Sequence, residues 1–186
     1  MKILHSEAEF AGRASVAALG MFDGVHIGHQ SLIRRAVALA RELDAECVVC
    51  TFDRHPLSVL RPDCAPAPLL SLEENLEKFA RLGADYALVK PFTREFAAMP
   101  PEEYLCALTR DMRACAVVAG ENYTFGAGGR GDAALIRGMA AELGYRAEIV
   151  PPVMDGKVMC SSTRIRRLIE AGETEHARRL MDMQES

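Results

Sequence analysis

Apolar and polar positions alternate along the chain in blocks that predict buried strands separated by amphipathic helices. Short apolar runs predict strands at Ser15–Leu19, Glu46–Phe52, Asp85–Val89, Cys115–Ala119 and Arg146–Val150. Apolar residues at helical spacing predict helices at Ile27–Leu43, Ser71–Leu82, Pro101–Met112, Asp132–Leu143, Ser162–Ala171 and Thr174–Met181. Because strands alternate with helices, we expect an α/β fold whose mainly parallel sheet of five to six strands carries helices on both faces.

Signals at the element boundaries support this pattern. Ser71 and Glu74 have the spacing of a capping box at a helix start. Asp132 is suited to cap the following helix, and Gly144 lies just past its end. The proline-rich stretch 61–68 predicts a loop within one domain, so we expect residues 1–186 to form a single unit.

Composition and charge narrow the classes of function. Hydrophobic residues make up 49% of the chain and charged residues 26%, which is typical of a globular domain. The net charge of −4 and the lack of a Lys/Arg run argue against general nucleic-acid binding. No apolar stretch approaches the roughly 20 residues of a membrane span, and the N-terminus has no signal-peptide pattern. We therefore predict a cytoplasmic protein that binds neither nucleic acid nor membrane.

Two of the six cysteines, Cys47 and Cys50, have the C-x-x-C spacing of metal and redox sites. Both lie in a predicted buried strand, where side chains three positions apart face opposite ways. No second cysteine pair completes a zinc site. Core packing is therefore the favoured interpretation over metal or redox chemistry.

The strongest chemical signal follows the first predicted strand, in the segment Gly20-Met21-Phe22-Asp23-Gly24-Val25-His26-Ile27-Gly28-His29. The unpaired N–H groups at the start of the next helix favour an anion. His26 and His29 are three positions apart, so both imidazoles can lie over that helix end. Gly28 carries no side chain, so a phosphate can approach the backbone. The alternative is an ordinary Gly-Asp turn with two surface histidines, and we favour the anion site.

A second signal begins the helix near the C-terminus, in the segment Ser161-Ser162-Thr163-Arg164-Ile165-Arg166. Ser161 or Ser162 can cap that helix. Ser162, Thr163 and Arg166 share one face near its positive end. Alone, the segment is more typical of an ordinary N-cap followed by solvated arginines, but beside the first site it predicts a second anion cradle.

Two helix ends that face each other can hold a triphosphate between them. Transfer of a nucleotidyl group to a phosphorylated acceptor requires no nucleophile from the protein, because the acceptor phosphate attacks. Catalysis then depends on alignment and on neutralising charge at the α-phosphate and the leaving pyrophosphate. The chain shows no dedicated carboxylate cage for a metal, so we expect Mg²⁺ to bind through the substrate phosphates.

Two further segments supply residues suited to an acceptor. Thr51–Pro56 follows the second strand; Phe52 fits core packing and ligand contact equally well, and His55 fits a structural role in the loop and acceptor binding equally well. Gly120–Gly126 follows a later strand, and its Asn122 carries both a donor and an acceptor. Tyr123 and Phe125 are both aromatic, so either ring can pack inward or meet a ligand. The glycines that follow are also consistent with a simple hairpin.

These motifs together resemble a known family. His26-Ile27-Gly28-His29 is similar to the H-x-G-H signature of the nucleotidylyltransferase superfamily, and the longer string resembles the FMN adenylyltransferase module of bacterial bifunctional riboflavin kinase/FAD synthetases. Ser161–Arg166 resembles that family's Ser-Ser-Thr-x-Ile-Arg motif. The resemblance implies a Rossmann-like nucleotidylyltransferase fold. It implies catalytic roles for His26, His29, Ser162, Thr163 and Arg166, and ATP binding by Gly20, Met21, Phe22, Asp23, Gly28 and Ser161.

The two acceptor segments resemble the same family. Thr51–Pro56 is similar to its T-F-D-x-H-P motif, with Arg54 where the family usually has proline, and Gly120–Gly126 is similar to G-x-[ND]-[FY]-x-F-G. Residues 91–93 also match a family segment and are expected to border the flavin pocket. The resemblance implies flavin binding by Phe52, His55, Pro56, Asn122, Tyr123 and Phe125.

The sequence thus predicts transfer of an adenylyl group from ATP to FMN, which yields FAD and pyrophosphate. Nucleotidylyl transfer to another phosphorylated acceptor and a non-catalytic flavin or nucleotide sensor are the alternatives. The resemblance covers residues 19–180, whereas full-length family members continue into a riboflavin kinase domain. If the sequence is complete, we expect a separate riboflavin kinase to supply FMN.

Overall fold

The computed structural model describes residues 1–183, which are built around a six-stranded parallel sheet. Its strands are β1 (Lys2–Leu4), β2 (Ser15–Leu19), β3 (Glu46–Phe52), β4 (Tyr86–Lys90), β5 (Ala114–Gly120) and β6 (Arg146–Val150). They are ordered β1-β4-β3-β2-β5-β6, and every pair is parallel. A short antiparallel hairpin, β7 (Met154–Asp155) and β8 (Val158–Met159), follows the sheet.

Eight α-helices connect and follow these strands within residues 1–183. They are α1 (Ile27–Glu42), α2 (Leu57–Leu60), α3 (Leu72–Arg81), α4 (Arg94–Ala97), α5 (Pro101–Asp111), α6 (Ala133–Leu143), α7 (Ser162–Glu170) and α8 (Thr174–Met181). None of these helices combines the length and the apolar character that crossing a bilayer requires.

The order of the strands determines where a ligand can bind. β2 lies between β3 and β5. The chain passes from β2 to β3 and β4 on one side and then crosses over to β5 on the other side, so the strand order reverses at β2. The carboxyl ends of these parallel strands meet at one edge of the sheet, where open α/β sheets bind ligands. The segments that begin at Gly20, Asp53 and Glu121 therefore emerge side by side.

Two hydrophobic cores cover the two faces of the sheet. Alternate residues of β2 enter different cores: Val16 and Ala18 pack beneath α1 and α3, whereas Ala17 and Leu19 pack against α5 and α6. Strands buried on both faces explain the continuous apolar runs in the sequence. A third, smaller cluster joins α7 to α8 through buried residues that include Ile165 and Leu180.

The C-x-x-C pair follows the same alternation. Cys47 is buried in the core on one face of the sheet and Cys50 in the core on the other, which confirms the prediction that the two thiols point apart. Within residues 1–183, no group of three or more His, Cys, Asp or Glu side chains is arranged to hold a metal ion.

The structure confirms the predicted long elements, with boundaries that move by one residue at several ends. Both sides of the capping box between Ser71 and Glu74 are formed. Asp132 caps α6 and Gly144 ends it in the left-handed conformation. Of the two candidate caps for α7, Ser161 is the one that accepts the N–H of Arg164.

The elements that the sequence pattern did not predict are short. β1 has three residues and becomes a strand because it pairs with β4. The hairpin strands have two residues each, and α2 and α4 have four. Such segments are too short to show a hydrophobic period, so only their tertiary partners define them.

The burial of the cysteines predicts an order of chemical labelling. Burial raises the pKa of Cys47 to about 12 and also raises the pKa of Cys50, whereas Cys64 is exposed. Since the thiolate is the reacting species, iodoacetamide at pH 8 should modify Cys64 at least 100-fold faster than Cys47 or Cys50. Peptide mass spectrometry measures the rates, and denatured protein is the control, in which all three should react alike. Rapid labelling of Cys47 in native protein would contradict the core assignment.

Candidate active site

The turn between β2 and α1 adopts an unusual backbone conformation. Phe22 (φ 51°), Gly24 (φ 83°) and Val25 (φ 40°) all lie in the left-handed region, which non-glycine residues rarely occupy. At Gly24 the positive φ favours glycine, and an added Cβ would also crowd the Leu69 side chain at 2.9 Å. The turn is tight enough to bring His26 directly to the N-terminus of α1.

Buried polar side chains satisfy the backbone of this turn. Asn75 Oδ1 accepts the N–H of Gly24 at 3.1 Å, and Gln30 Nε2 donates to the carbonyl of Val25 at 3.0 Å. Lys78 Nζ donates to the carbonyl of Gly24 at 3.4 Å. The Phe22 ring is fully buried and packs edge-to-face on Phe79. These contacts hold a strained conformation that the turn sequence alone would not maintain.

The two histidines lie together over the start of α1. His26 is the N-cap, and its Nδ1 accepts the N–H of His29 at 3.3 Å. The two imidazole rings stack with centroids 3.7 Å apart. A Cβ at Gly28 would lie 3.2 Å from the His26 ring, so the missing side chain also leaves space for that imidazole.

Burial keeps both imidazoles neutral near pH 7. It lowers the pKa of His26 to about 4, with a smaller contribution from the positive charge of Lys78. It also lowers the pKa of His29 well below its usual value, and the neighbouring His26 adds to this effect. Since Nδ1 of neutral His26 accepts a hydrogen bond, its Nε2 carries the proton and is a donor.

The second helix tip, at the start of α7, docks on the same turn. The hydroxyl of Ser162 donates to the backbone carbonyl of Asp23 at 3.0 Å. The guanidinium of Arg166 pairs with the carboxylate of Asp23, and its Nε donates to the carbonyl of Ala67 at 3.0 Å. The N-termini of α1 and α7 therefore lie close to each other.

One open cavity of about 360 Å³, here called the nucleotide cavity, contains both helix tips. Residues of the first tip and of the turn before it line the cavity: Gly20, Met21, Phe22, Asp23, His26, Gly28 and His29. Residues of the second tip line it as well: Ser161, Ser162, Thr163 and Arg166. The arrangement expected from the sequence, in which two helix N-termini face one cleft, is present.

A second cavity of about 290 Å³ is rich in aromatic side chains and is called the aromatic cavity. Its side chains include Phe52, Pro56, Leu60, Phe92, Phe96, Met99, Tyr104, Tyr123 and Phe125. The ring of Phe52 packs edge-to-face on Phe92 and Phe96, and Tyr123 is nearly parallel to Phe125 with centroids 5.6 Å apart. Tyr123 lines both cavities, so they are adjacent.

The residues predicted for the acceptor divide between the two cavities. Phe52, Pro56, Tyr123 and Phe125 line the aromatic cavity, and Phe92 of the segment 91–93 joins them. His55 and Asn122 line the nucleotide cavity instead. The Nδ1 of His55 accepts the N–H of Leu57 at 3.1 Å, and burial, reinforced by nearby Arg166, lowers its pKa. The Asn122 amide contacts the Met159 sulfur at 3.2 Å.

Sequence reasoning missed part of each cavity. Leu60, Phe96 and Tyr104 of the aromatic cavity lie on helices, where an apolar residue is more often part of a core. Met99 lies in the bend between α4 and α5. The wall of the nucleotide cavity formed by 150–153, Met159 and Cys160 was also missed. Pro151 and Pro152, directly after β6, were the local signal that the strand ends there, because proline has no N–H to donate to a neighbouring strand.

The chain is similar in sequence to known proteins over most of its length. The profile of the FAD synthetase family matches residues 9–164. A relative from Geobacillus thermodenitrificans, named for riboflavin kinase and FMN adenylyltransferase, is 36% identical over 179 residues, which cover 95% of this chain and 94% of the relative. The bifunctional riboflavin kinase/FMN adenylyltransferase of Escherichia coli (strain K12) is 31% identical over 167 residues. The match with this second relative covers 89% of this chain but 53% of the relative, so the chain spans about half of its length.

A solved structure shares both the fold and the sequence pattern. A Streptococcus pneumoniae protein whose crystal structure is described as a macrolide-efflux protein superposes with a TM-score of 0.84 and 33% identity. The superposition covers 96% of this chain and 59% of that chain. Because the family profile spans most of the residues that build both cavities, the chain belongs to the FAD synthetase family.

Proposed function

We propose that this protein transfers the adenylyl group of ATP to FMN and so produces FAD and pyrophosphate. One observation carries the proposal: a cavity with two helix N-termini lies against a cavity with aromatic walls, and Tyr123 lines both. The first suits a polyphosphate. The second suits a flat ring system, which packs against aromatic side chains. A phosphorylated flavin can lie across the two.

In this arrangement the FMN phosphate and the ATP α-phosphate meet in the nucleotide cavity. An oxygen of the FMN phosphate attacks the α-phosphorus, the bond from that phosphorus to the bridging oxygen of the β-phosphate breaks, and pyrophosphate leaves with the electron pair. The chain supplies no nucleophile. It aligns the two phosphates and stabilises the charge that develops between them.

The polar groups of the cavity have distinct roles in this proposal. Neutral His26 and His29 donate hydrogen bonds to the α-phosphate. Thr163, Arg166 and the N–H groups of the α7 tip bind the β- and γ-phosphates, while the Ser162 hydroxyl donates to the carbonyl of Asp23 and holds this tip in place. His55 and Asn122, which line the nucleotide cavity near the aromatic one, bind the phosphate or ribityl end of FMN.

The apolar wall of the nucleotide cavity suits the adenine ring. Residues 150–153 run from the last residue of β6 and include two prolines, and Met159 and Cys160 line the same cavity. An aromatic base gains from such a wall because its faces are apolar. Mg²⁺ would arrive on the ATP phosphates, since the described residues offer no carboxylate cage. The Mg²⁺ requirement and the cytoplasmic location remain predictions from the sequence.

Two alternatives make different demands on the site. Another acceptor, such as phosphopantetheine, has no extended ring system that could pack against the rings of Phe52, Phe96 and Tyr123. A sensor that binds flavin or nucleotide has no need of a complete second phosphate cradle. The bifunctional relatives also carry riboflavin kinase in their names, and we propose only the adenylyl transfer for this chain.

The direct test is incubation of the protein with ATP, Mg²⁺ and FMN, followed by chromatography. We expect FAD and pyrophosphate in equal amounts, because one bond to the α-phosphorus replaces another. Parallel incubations with phosphopantetheine and nicotinate mononucleotide should give no adenylylated product. Product from either of these and none from FMN would reassign the acceptor, and flavin binding without pyrophosphate release would favour the sensor.

We expect the His29→Ala substitution to lower kcat by about 100-fold or more while the fold is retained. The loss of one preorganised donor at a developing oxyanion typically costs 10²–10³ in rate. Pyrophosphate release measures kcat, and circular dichroism reports the fold. His5→Ala, at an exposed histidine near the N-terminus, is the matched control and should keep wild-type turnover. Unchanged turnover in the His29 variant would remove that residue from the mechanism.

We expect the Phe52→Leu substitution to weaken FMN binding about threefold to tenfold without a comparable change for a non-hydrolysable ATP analogue. The leucine stays apolar, so the loss is that of an aromatic ring packed on the flavin, of the order of 0.5–1.5 kcal/mol. Flavin fluorescence titration gives the Kd. Phe10→Leu is the control, because that ring packs edge-to-face on Tyr86 and lines neither cavity. Equal losses in both variants would point to a general effect on packing.

A further inference from the structure

Asp23 binds three groups from two distant parts of the chain. Its Oδ1 accepts the N–H of Leu69 at 2.9 Å, and its Oδ2 pairs with the guanidinium of Arg166. Its backbone carbonyl accepts the hydroxyl of Ser162 at 3.0 Å. The residue is 6% exposed, so these bonds form in a largely dry environment where they are strong and directional.

Arg166 is oriented by this contact. Its Nη2 pairs with Asp23 and its Nε donates to the carbonyl of Ala67, so one edge of the guanidinium is committed to the protein. Its Nη1 makes no such bond to residues 1–183. Since a guanidinium is planar and rigid, fixing one edge fixes the direction in which the remaining nitrogen points.

Asp23 also precedes the strained residues Gly24 and Val25, which lead into His26. Asp23 is therefore covalently part of the turn that leads into α1, and it also binds Ser162 and Arg166 at the start of α7. We infer that Asp23 is a positioning residue that fixes Arg166 and Ser162 of α7 opposite the histidines of α1. This role rests on the proposed function, because it presumes that a polyphosphate binds between the tips.

A direct contact between Asp23 and the phosphates does not explain this geometry. Both carboxylate oxygens are engaged by protein donors, and a carboxylate repels a polyphosphate. The two roles predict opposite changes in pyrophosphate affinity when Asp23 is neutralised. If Asp23 acted only as a nearby negative charge, neutralising it would tighten pyrophosphate binding. If it positions Arg166, neutralising it would weaken that binding.

The test is the Asp23→Asn variant, with calorimetric titration of inorganic pyrophosphate in the presence of Mg²⁺. Asparagine keeps Oδ1 for the Leu69 N–H but loses the negative partner of Arg166. We expect the Kd for pyrophosphate to rise about tenfold and the KM for FMN to change less than twofold. Asp85→Asn is the control: that carboxylate also accepts a backbone N–H, from Cys47 at 2.8 Å, but lies at the amino edge of the sheet. It should leave pyrophosphate affinity unchanged.

A double-mutant cycle shows whether Asp23 changes pyrophosphate affinity by acting through Arg166. If Asp23 acts through Arg166, adding Asp23→Asn to an Arg166→Gln protein should change the Kd for pyrophosphate less than twofold further. A full additional tenfold loss, tighter binding in Asp23→Asn alone, or an equal loss in Asp85→Asn would each overturn the inference. A wild-type protein that binds pyrophosphate but makes no FAD would refute only the proposed function. A wild-type protein that binds no pyrophosphate would refute both.

Discussion

The backbone of the β2–α1 turn must find hydrogen-bond partners in a place where water is excluded. Three of its four residues from Phe22 to Val25 lie in the left-handed region. The Val25 N–H bonds to the Phe22 carbonyl at 3.3 Å, and other backbone groups of the turn find their partners outside it. A buried N–H or carbonyl without a partner costs about 1–3 kcal/mol. Asn75, Gln30 and Lys78 supply the partners, and the first and third of these come from α3, on another part of the chain. The position of the histidines depends on this support.

The two histidines of this site are uncharged near pH 7. Burial keeps His26 and His29 neutral, so they act as hydrogen-bond donors rather than as cations. The positive character of the cavity comes from the partial charges of two helix N-termini and from Arg166. Arg166 is itself paired with Asp23, which moderates its charge and fixes its direction. Such a site suits a substrate that brings its own cation.

The arrangement of the strands explains why two chemically different cavities are adjacent. β2 and β3 are neighbours and end at the same edge, so the β2–α1 turn and the Phe52–Pro56 segment start side by side. β5 lies on the other side of β2 and brings Asn122 and Tyr123 to the same edge. Tyr123 can therefore line both cavities, and the family profile covers all these segments.

Local sequence patterns specify the long strands and helices, the capping box at Ser71, the caps of α6 and the positions of the His26–His29 and Ser161–Arg166 motifs at helix starts. These features depend on residues within one or two turns of each other, so the local pattern contains them. Tertiary structure alone decided that β1 is a strand, that His55 and Asn122 line the nucleotide cavity, and that Asp23 holds Arg166 across 143 positions of sequence. Such partners are selected by packing between distant segments, which no short-range pattern specifies.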